Sequence, residues 1–134
     1  MRAFSLTLRI LSPLFFVVAA VHLIFGLQAD AMLGASVPDS AAMDPSLNSQ
    51  NRFLGVAFAL YGAVLYLSAT DVPRYEPILK ALFYIFVAAG LARVVSWVTH
   101  GAPAPMVIAL GAIELLGPPA MLMWLRKAKN EAGL

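Results

Sequence analysis

The hydrophobic pattern of the chain consists of four long apolar runs, at about residues 8–27, 53–69, 78–98 and 106–125. Each run approaches the roughly 20 residues that an α-helix needs to cross the hydrocarbon core of a bilayer. None shows the alternation of apolar and polar positions that is typical of barrel strands. Because a spanning segment must satisfy its backbone polar groups internally, we expect helices. The pattern therefore predicts an all-α, four-transmembrane-helix bundle.

We expect one membrane domain over residues 1–134, with helices at about 8–28, 46–70, 77–99 and 105–127 and an outer loop at about 29–45. Asp44 and Pro45 read as the N-cap and the first residue of the second helix. The first two turns of this helix would then carry Asn48, Asn51 and Arg52. Pro77 and Pro105 are placed to open the third and fourth helices in the same way.

Composition supports a membrane location, since 61% of the residues are hydrophobic and 12% are charged, with a mean hydropathy of +0.83. This balance excludes an ordinary soluble domain, and the four runs leave no room for a soluble catalytic module. The sequence has no cysteine, which excludes disulfides, thiolate nucleophiles and iron–sulfur clusters. We expect a multi-pass protein of the bacterial inner (cytoplasmic) membrane.

Basic residues are distributed unevenly between the two sides of the predicted bundle. Apart from Arg52 and Arg93, every Lys and Arg lies near the chain termini or in the connection between the second and third helices. The segments 28–51 and 99–104 lie on the other side of the bundle and contain no Lys or Arg. The positive-inside rule therefore predicts that both termini are cytoplasmic. We expect the first helix to be retained, because its apolar run is longer than that of a secretory signal.

Ionisable residues interrupt the apolar runs at a few positions. Glu114 lies about halfway along the fourth run, and His22, Arg52 and Arg93 lie on the other three helices. At about 1.5 Å of rise per residue, all four fall in the outer half of the bilayer. We therefore predict one buried polar network near the outer leaflet, joined by Asn48 and Asn51 at the start of the second helix. Ionisable groups inside a membrane are costly, which makes such a network a candidate ligand site.

The surplus of positive charge in the predicted network indicates the class of ligand that it would bind. Two arginines and a histidine face one acid, so an anion, a lipid phosphate or a quinone-like carbonyl would supply the missing acceptor. This favours a carrier or an accessory subunit that binds a small anionic, quinone-like or lipid ligand. One alternative is a purely structural ion pair in an assembly subunit of a larger complex. Another is a membrane enzyme that acts on a lipid-soluble substrate with Glu114 as its acid/base group.

The sequence assigns no catalytic residue and no metal ligand, and whether the protein is an enzyme stays open. Haem ligation would require His22 and His100 on facing helices at matched depth. The expected partners are membrane lipids, with a membrane-protein partner or a second copy of the chain as alternatives, and no nucleic acid.

Several short motifs occur in a characteristic order: Asn51-Arg-Phe-Leu-Gly, Gly90-Leu-Ala-Arg-Val-Val-Ser-Trp with Gly101-Ala-Pro-Ala-Pro, and Ile113-Glu-Leu-Leu-Gly-Pro-Pro. In this order and spacing, the chain resembles a bacterial four-helix membrane family catalogued as a domain of unknown function, number four-three-four-five. The resemblance implies that Arg52, Arg93 and Glu114 belong to the recurring family pattern, whereas His22 lies outside it. The family is more loosely similar to DoxX-like proteins, some of which are linked to quinone or redox complexes. The resemblance supports the polar site without assigning an activity.

Overall fold

The computed structural model describes residues 1–133, which contain helices and no strand. In chain order the helices are α1 (Arg2–Phe25), α2 (Gln28–Met32), α3 (Asp39–Ala42), α4 (Pro45–Val56), α5 (Phe58–Thr70), α6 (Val72–His100) and α7 (Pro105–Ala132). Four segments are long and apolar enough to cross a membrane: α1, α4 with α5, α6, and α7. The predicted all-α membrane bundle is thus confirmed.

Capping residues explain where the long helices begin. Asp44 accepts a hydrogen bond from the Leu47 amide at 2.8 Å, and Pro45 is the first residue of α4, as predicted. Pro105 likewise opens α7. The prediction that Pro77 opens the third helix is wrong, because Asp71 caps the Arg74 amide and α6 begins at Val72, so that Pro77 lies inside the helix.

The second predicted helix is divided, and the predicted outer loop contains structure. A turn at Ala57 separates α4 from α5, and there the Leu60 amide bonds the Ala57 carbonyl three residues back. Residues 29–45 hold most of α2 and all of α3 rather than an extended loop. α1 ends at Phe25, three residues earlier than expected, where Gly26 adopts a φ of 57°. That positive φ turns the chain back toward the bundle, since glycine enters this region without steric cost.

The four spans form two closely packed pairs. α1 packs along α4 and α5, α6 packs along α7, and α5 joins the pairs through its contact with α6. We call the end that carries both chain termini and the α5–α6 connection the terminal end. The opposite end, with α2, α3 and the α6–α7 connection, is the loop end.

The apolar core lies in the terminal half of the bundle. Its fully buried members include Phe4, Leu8, Leu79 and Leu125, which come from three spans. Toward the middle of the bundle, aromatic rings follow, among them the rings of Tyr61 and Phe86, whose centroids lie 5.0 Å apart. Near the loop end, several polar side chains are buried or half-buried among apolar ones, and this is where the candidate site lies: His22, Asp30, Asn48, Asn51, Arg52, Arg93 and Glu114.

Glycines permit the close approach of the helices. A Cβ on Gly62 would lie 2.9 Å from Phe16 and from the Ser12 carbonyl, and one on Gly90 would lie 2.7 Å from Leu115. The buried Ser12 hydroxyl donates to the Gly62 carbonyl at 2.8 Å, which ties α1 to α5. In lipid, such small-residue contacts and interhelical hydrogen bonds replace the hydrophobic force that holds soluble bundles together.

Candidate functional site

Arg93 of α6 and Glu114 of α7 form a bidentate ion pair. The Arg93 Nε donates to Glu114 Oε2 at 2.6 Å, and Nη2 donates to Oε1 at 2.9 Å. Gly111 leaves room for the arginine, since a Cβ there would lie 3.3 Å from Arg93 Cδ. The side chains are 36% exposed for Arg93 and 14% exposed for Glu114. The pair therefore fixes the plane of the guanidinium group while leaving one side of it open.

The open side of Arg93 faces a small cavity. Hydrogen bonds within residues 1–133 engage Nε and Nη2 and leave Nη1 free. A cavity of about 290 Å³ adjoins the arginine at the loop end, between the last turns of α6 and the first turn of α7. Its lining residues are Ala92, Arg93, Ser96, Pro103 and Val107. Arg93 can therefore offer a donor to a group that enters from the loop end.

Arg52 lies at a different place from Glu114. Its Nη1 donates to the backbone carbonyls of Leu23 and of Ile24, the latter at 3.1 Å. These carbonyls belong to the last turn of α1, where a helix lacks internal donors and carries partial negative charge. Of the two arginines predicted to meet Glu114, the structure brings only Arg93 to it. Arg52 caps α1 instead.

Asn48 holds the junction between α1 and α2. Its Oδ1 accepts a hydrogen bond from the Leu27 amide at 3.3 Å, and its Nδ2 donates to the carbonyls of Ala42 and Asp44. Gly26 lies directly against this group, where a Cβ would lie 3.1 Å from Arg52 Nε. Asn48 and Arg52 thus anchor the start of α4 to the end of α1.

His22, Asp30 and Asn51 form a third polar group, which we call the histidine cluster. Asn51 Nδ2 donates to Asp30 Oδ2 at 2.6 Å, and His22 Nε2 lies 3.7 Å from Asp30 Oδ1. His22 Nδ1 lies 2.9 Å from the Val18 carbonyl, and the ring stacks on Phe58 at a centroid distance of 6.2 Å. The Oδ1 of Asn51 is buried without a hydrogen-bond partner in the described part of the chain.

The structure therefore separates the predicted network into three groups: Arg93 with Glu114, Arg52 with Asn48, and the histidine cluster, which adds Asp30. Asp30 belongs to α2, a segment that the sequence pattern assigned to an outer loop. Glu114 pairs with Arg93 alone, and Asp30 adds a second carboxylate beside His22, so the prediction of two arginines and a histidine around one acid is wrong. The feature that favours a ligand is therefore the Nη1 donor of Arg93, which is unpaired within residues 1–133, rather than net charge.

No group of three or more His, Asp and Glu side chains that could hold a metal ion occurs in the described residues. What the site can do chemically is donate hydrogen bonds from a fixed, half-exposed guanidinium group. Both carboxylate oxygens of Glu114 are engaged by Arg93.

Comparison with known proteins gives one family. No curated protein and no solved structure matched the chain, and the looser likeness to DoxX-like proteins is not confirmed. The family described as Domain of unknown function (DUF4345) matches residues 4–125, which include most or all of each span and every residue of the three polar groups. The chain belongs to this family.

Proposed function

We propose that the protein binds a small anionic, quinone-like or lipid ligand through Arg93, as a carrier or as an accessory subunit of a membrane complex. We place it in the bacterial inner membrane, with the loop end toward the outer leaflet and the termini in the cytoplasm. The observation that carries this proposal is that Arg93, whose Nη1 has no hydrogen-bond partner among residues 1–133, lines a cavity of about 290 Å³.

The geometry around Arg93 favours an oxygen acceptor. Glu114 holds the guanidinium plane and balances its charge, so an incoming group meets an oriented donor. Carboxylate, phosphate and carbonyl oxygens all accept from such a donor. The cavity is near the lower end of the ~300–1,000 Å³ range of small-molecule pockets, so it fits the polar head of a ligand whose apolar part lies in the bilayer.

The geometry favours binding over acid/base chemistry at Glu114. Both oxygens of this carboxylate accept from Arg93, so Glu114 would have to leave the arginine before it could transfer a proton to a substrate. A residue that instead orients a donor fits a binding site.

Copurification with matched variants tests the proposal. Wild-type protein, Arg93→Gln and Arg126→Gln would be purified in mild detergent, and bound small molecules would be identified by mass spectrometry. Arg126 is the control, because it is exposed in the last turns of α7 at the terminal end. Ser96→Trp adds a second variant, which fills the cavity and leaves the ion pair intact.

We expect one acceptor-bearing molecule to accompany the wild-type protein and the Arg126 variant and to be lost from both cavity variants. Circular dichroism would show that all four proteins retain their helices. The same bound molecules in all four samples would contradict the proposal. A stoichiometric protein partner that remains bound in every variant, with no small molecule at Arg93, would contradict it in favour of an assembly subunit.

A further inference from the structure

A second cavity lies at the terminal end, away from the site at Arg93. Its volume is about 520 Å³. One wall is formed by the first two turns of α1, with Arg2, Ser5, Leu6 and Arg9. The other wall is the α5–α6 connection at residues 69–73. The Ser5 hydroxyl donates to the Ala69 carbonyl at 2.6 Å, which holds the two walls together. The cavity is therefore formed by packed helix ends.

The two arginines of this cavity lack partners. Within residues 1–133, neither Arg2 nor Arg9 forms an ion pair or a side-chain hydrogen bond with another side chain or carbonyl group, and both are exposed. The carboxylate that lines the cavity belongs to Asp71, whose Oδ1 accepts from the Arg74 amide. Two guanidinium groups therefore face one carboxylate, which leaves the cavity with a net positive charge.

The spacing of the arginines suits a single phosphate group. Seven residues of helix separate Arg2 from Arg9, which corresponds to about 10 Å along the axis. Side chains of a helix lean toward its N-terminus, so Arg9 extends from its deeper position toward Arg2. Both arginines line the same cavity, and the long side chain of Arg9 can cover much of this separation, so both can contact one phosphate, whose oxygens arginine binds in a bidentate manner.

The cavity also adjoins an apolar surface. Leu6 lines it and is exposed, and Ile10 and Leu14 continue the exposed stripe along α1 toward the middle of the bundle. A soluble anion would make no favourable contact with this apolar stripe, whereas the acyl chain of a lipid would pack along it. Basic pockets between helices at a membrane surface are known to hold anionic lipid head groups.

We propose that this cavity, which we call the terminal-end cavity, is a binding site for one anionic phospholipid. The phosphate lies between Arg2 and Arg9, and an acyl chain runs along Leu6 and Ile10. The site is independent of the ligand at Arg93, because it lies at the opposite end of the bundle and shares no lining residue with the other cavity.

Native mass spectrometry of the full chain in detergent tests this proposal. Phosphatidylglycerol or phosphatidylcholine would be titrated into wild-type protein, the double variant Arg2→Gln/Arg9→Gln, and the control Arg126→Gln/Lys127→Gln. The control removes the same charge at the same end of the bundle, from exposed residues that do not line the cavity. Thr70→Trp adds a variant that fills the cavity without changing its charge.

We expect wild type and control to bind one phosphatidylglycerol in preference to phosphatidylcholine. The double arginine variant should bind it at least about 10-fold more weakly, because it loses charge-assisted hydrogen bonds to the phosphate that the control variant keeps. Thr70→Trp should also weaken binding.

Two results would overturn the proposal. The first is an equal loss in the control variant, which would mean that only the diffuse charge of this end attracts the lipid. The second is displacement of the lipid by an equal concentration of soluble glycerol phosphate, which would assign the cavity to a free anion. Because Arg93 is unchanged in every variant, failure here leaves the proposal for the loop end untouched.

Discussion

Replacing Arg93 should destabilise the bundle more than replacing Glu114, although each substitution breaks the same ion pair. Arg93→Gln removes both hydrogen bonds, of 2.6 and 2.9 Å, and leaves a carboxylate that is only 14% exposed. Glu114→Gln keeps one oxygen acceptor for the arginine. It leaves a guanidinium group that is 36% exposed and can extend toward the loop end.

These differences set the expected magnitudes. Removing one partner of a fully buried ion pair costs about 3–5 kcal/mol, and partial exposure reduces this to about 2–3 kcal/mol for Arg93→Gln. Glu114→Gln, which exchanges a charged acceptor for a neutral one, should cost about 1 kcal/mol. The double variant contains no unpaired charge and should also cost about 1 kcal/mol. The coupling energy of the pair is then about 2–3 kcal/mol, above the ~0.6 kcal/mol average for interhelical hydrogen bonds in membranes.

Reversible unfolding of the purified protein in mixed micelles, followed by circular dichroism, would give the four free energies of unfolding. The control cycle uses Lys127→Gln and Glu131→Gln, an exposed pair 3.9 Å apart with the helical i,i+4 spacing. Its coupling energy should lie below about 0.5 kcal/mol. A coupling energy between Arg93 and Glu114 as small as that of the control would refute this account of the pair.

Two further predictions concern how the helices pack and begin. Gly55→Ala should destabilise the bundle by about 1–3 kcal/mol, because its Cβ would lie 2.5 Å from His22 Cγ. The control Gly117→Ala, whose Cβ meets only a side chain at 3.9 Å, should unfold at the same denaturant concentration as wild type or a higher one. Asp44→Ala should cost about 1 kcal/mol and speed hydrogen exchange of the Leu47 amide, which it caps at 2.8 Å; unchanged exchange of that amide would contradict the assigned cap.

The number of spans could be predicted from the sequence because membrane length and backbone satisfaction leave few alternatives. The start of α4 could be predicted as well, because the aspartate and proline at 44 and 45 act locally. The start of α6 could not, since Asp71 and Pro77 are both good start signals, and which one is used depends on packing at the terminal end. The break at Ala57 involves no proline and left no signal in the sequence.

The candidate site was predictable to a similar extent. Glu114 inside an apolar run required a partner, and the depth of Arg93 made that arginine suitable. The choice between Arg93 and Arg52 depends on the carbonyls at the end of α1, and the sequence does not show that this end stops at Phe25. Asp30 was missed because a five-residue helix that folds back onto α1 has too little periodicity to be recognised.

The two halves of the bundle are held by different forces, and this bears on what a ligand at Arg93 would do. The terminal half has the apolar core and a carboxylate, Glu76, that Lys129 and Lys80 contact at 2.6 and 2.5 Å. The loop end lies outside this apolar core, and polar bonds link helices there, among them the pair of Arg93 with Glu114. Because lipid supplies no hydrophobic force between helices, polar bonds carry more of the packing there. A ligand that bonds Arg93 would therefore stabilise the contact between α6 and α7 at the end that lies outside the apolar core. Ligand binding should slow the exchange of backbone amide hydrogens in the loop-end turns of α6 and α7 more than in their terminal-end turns.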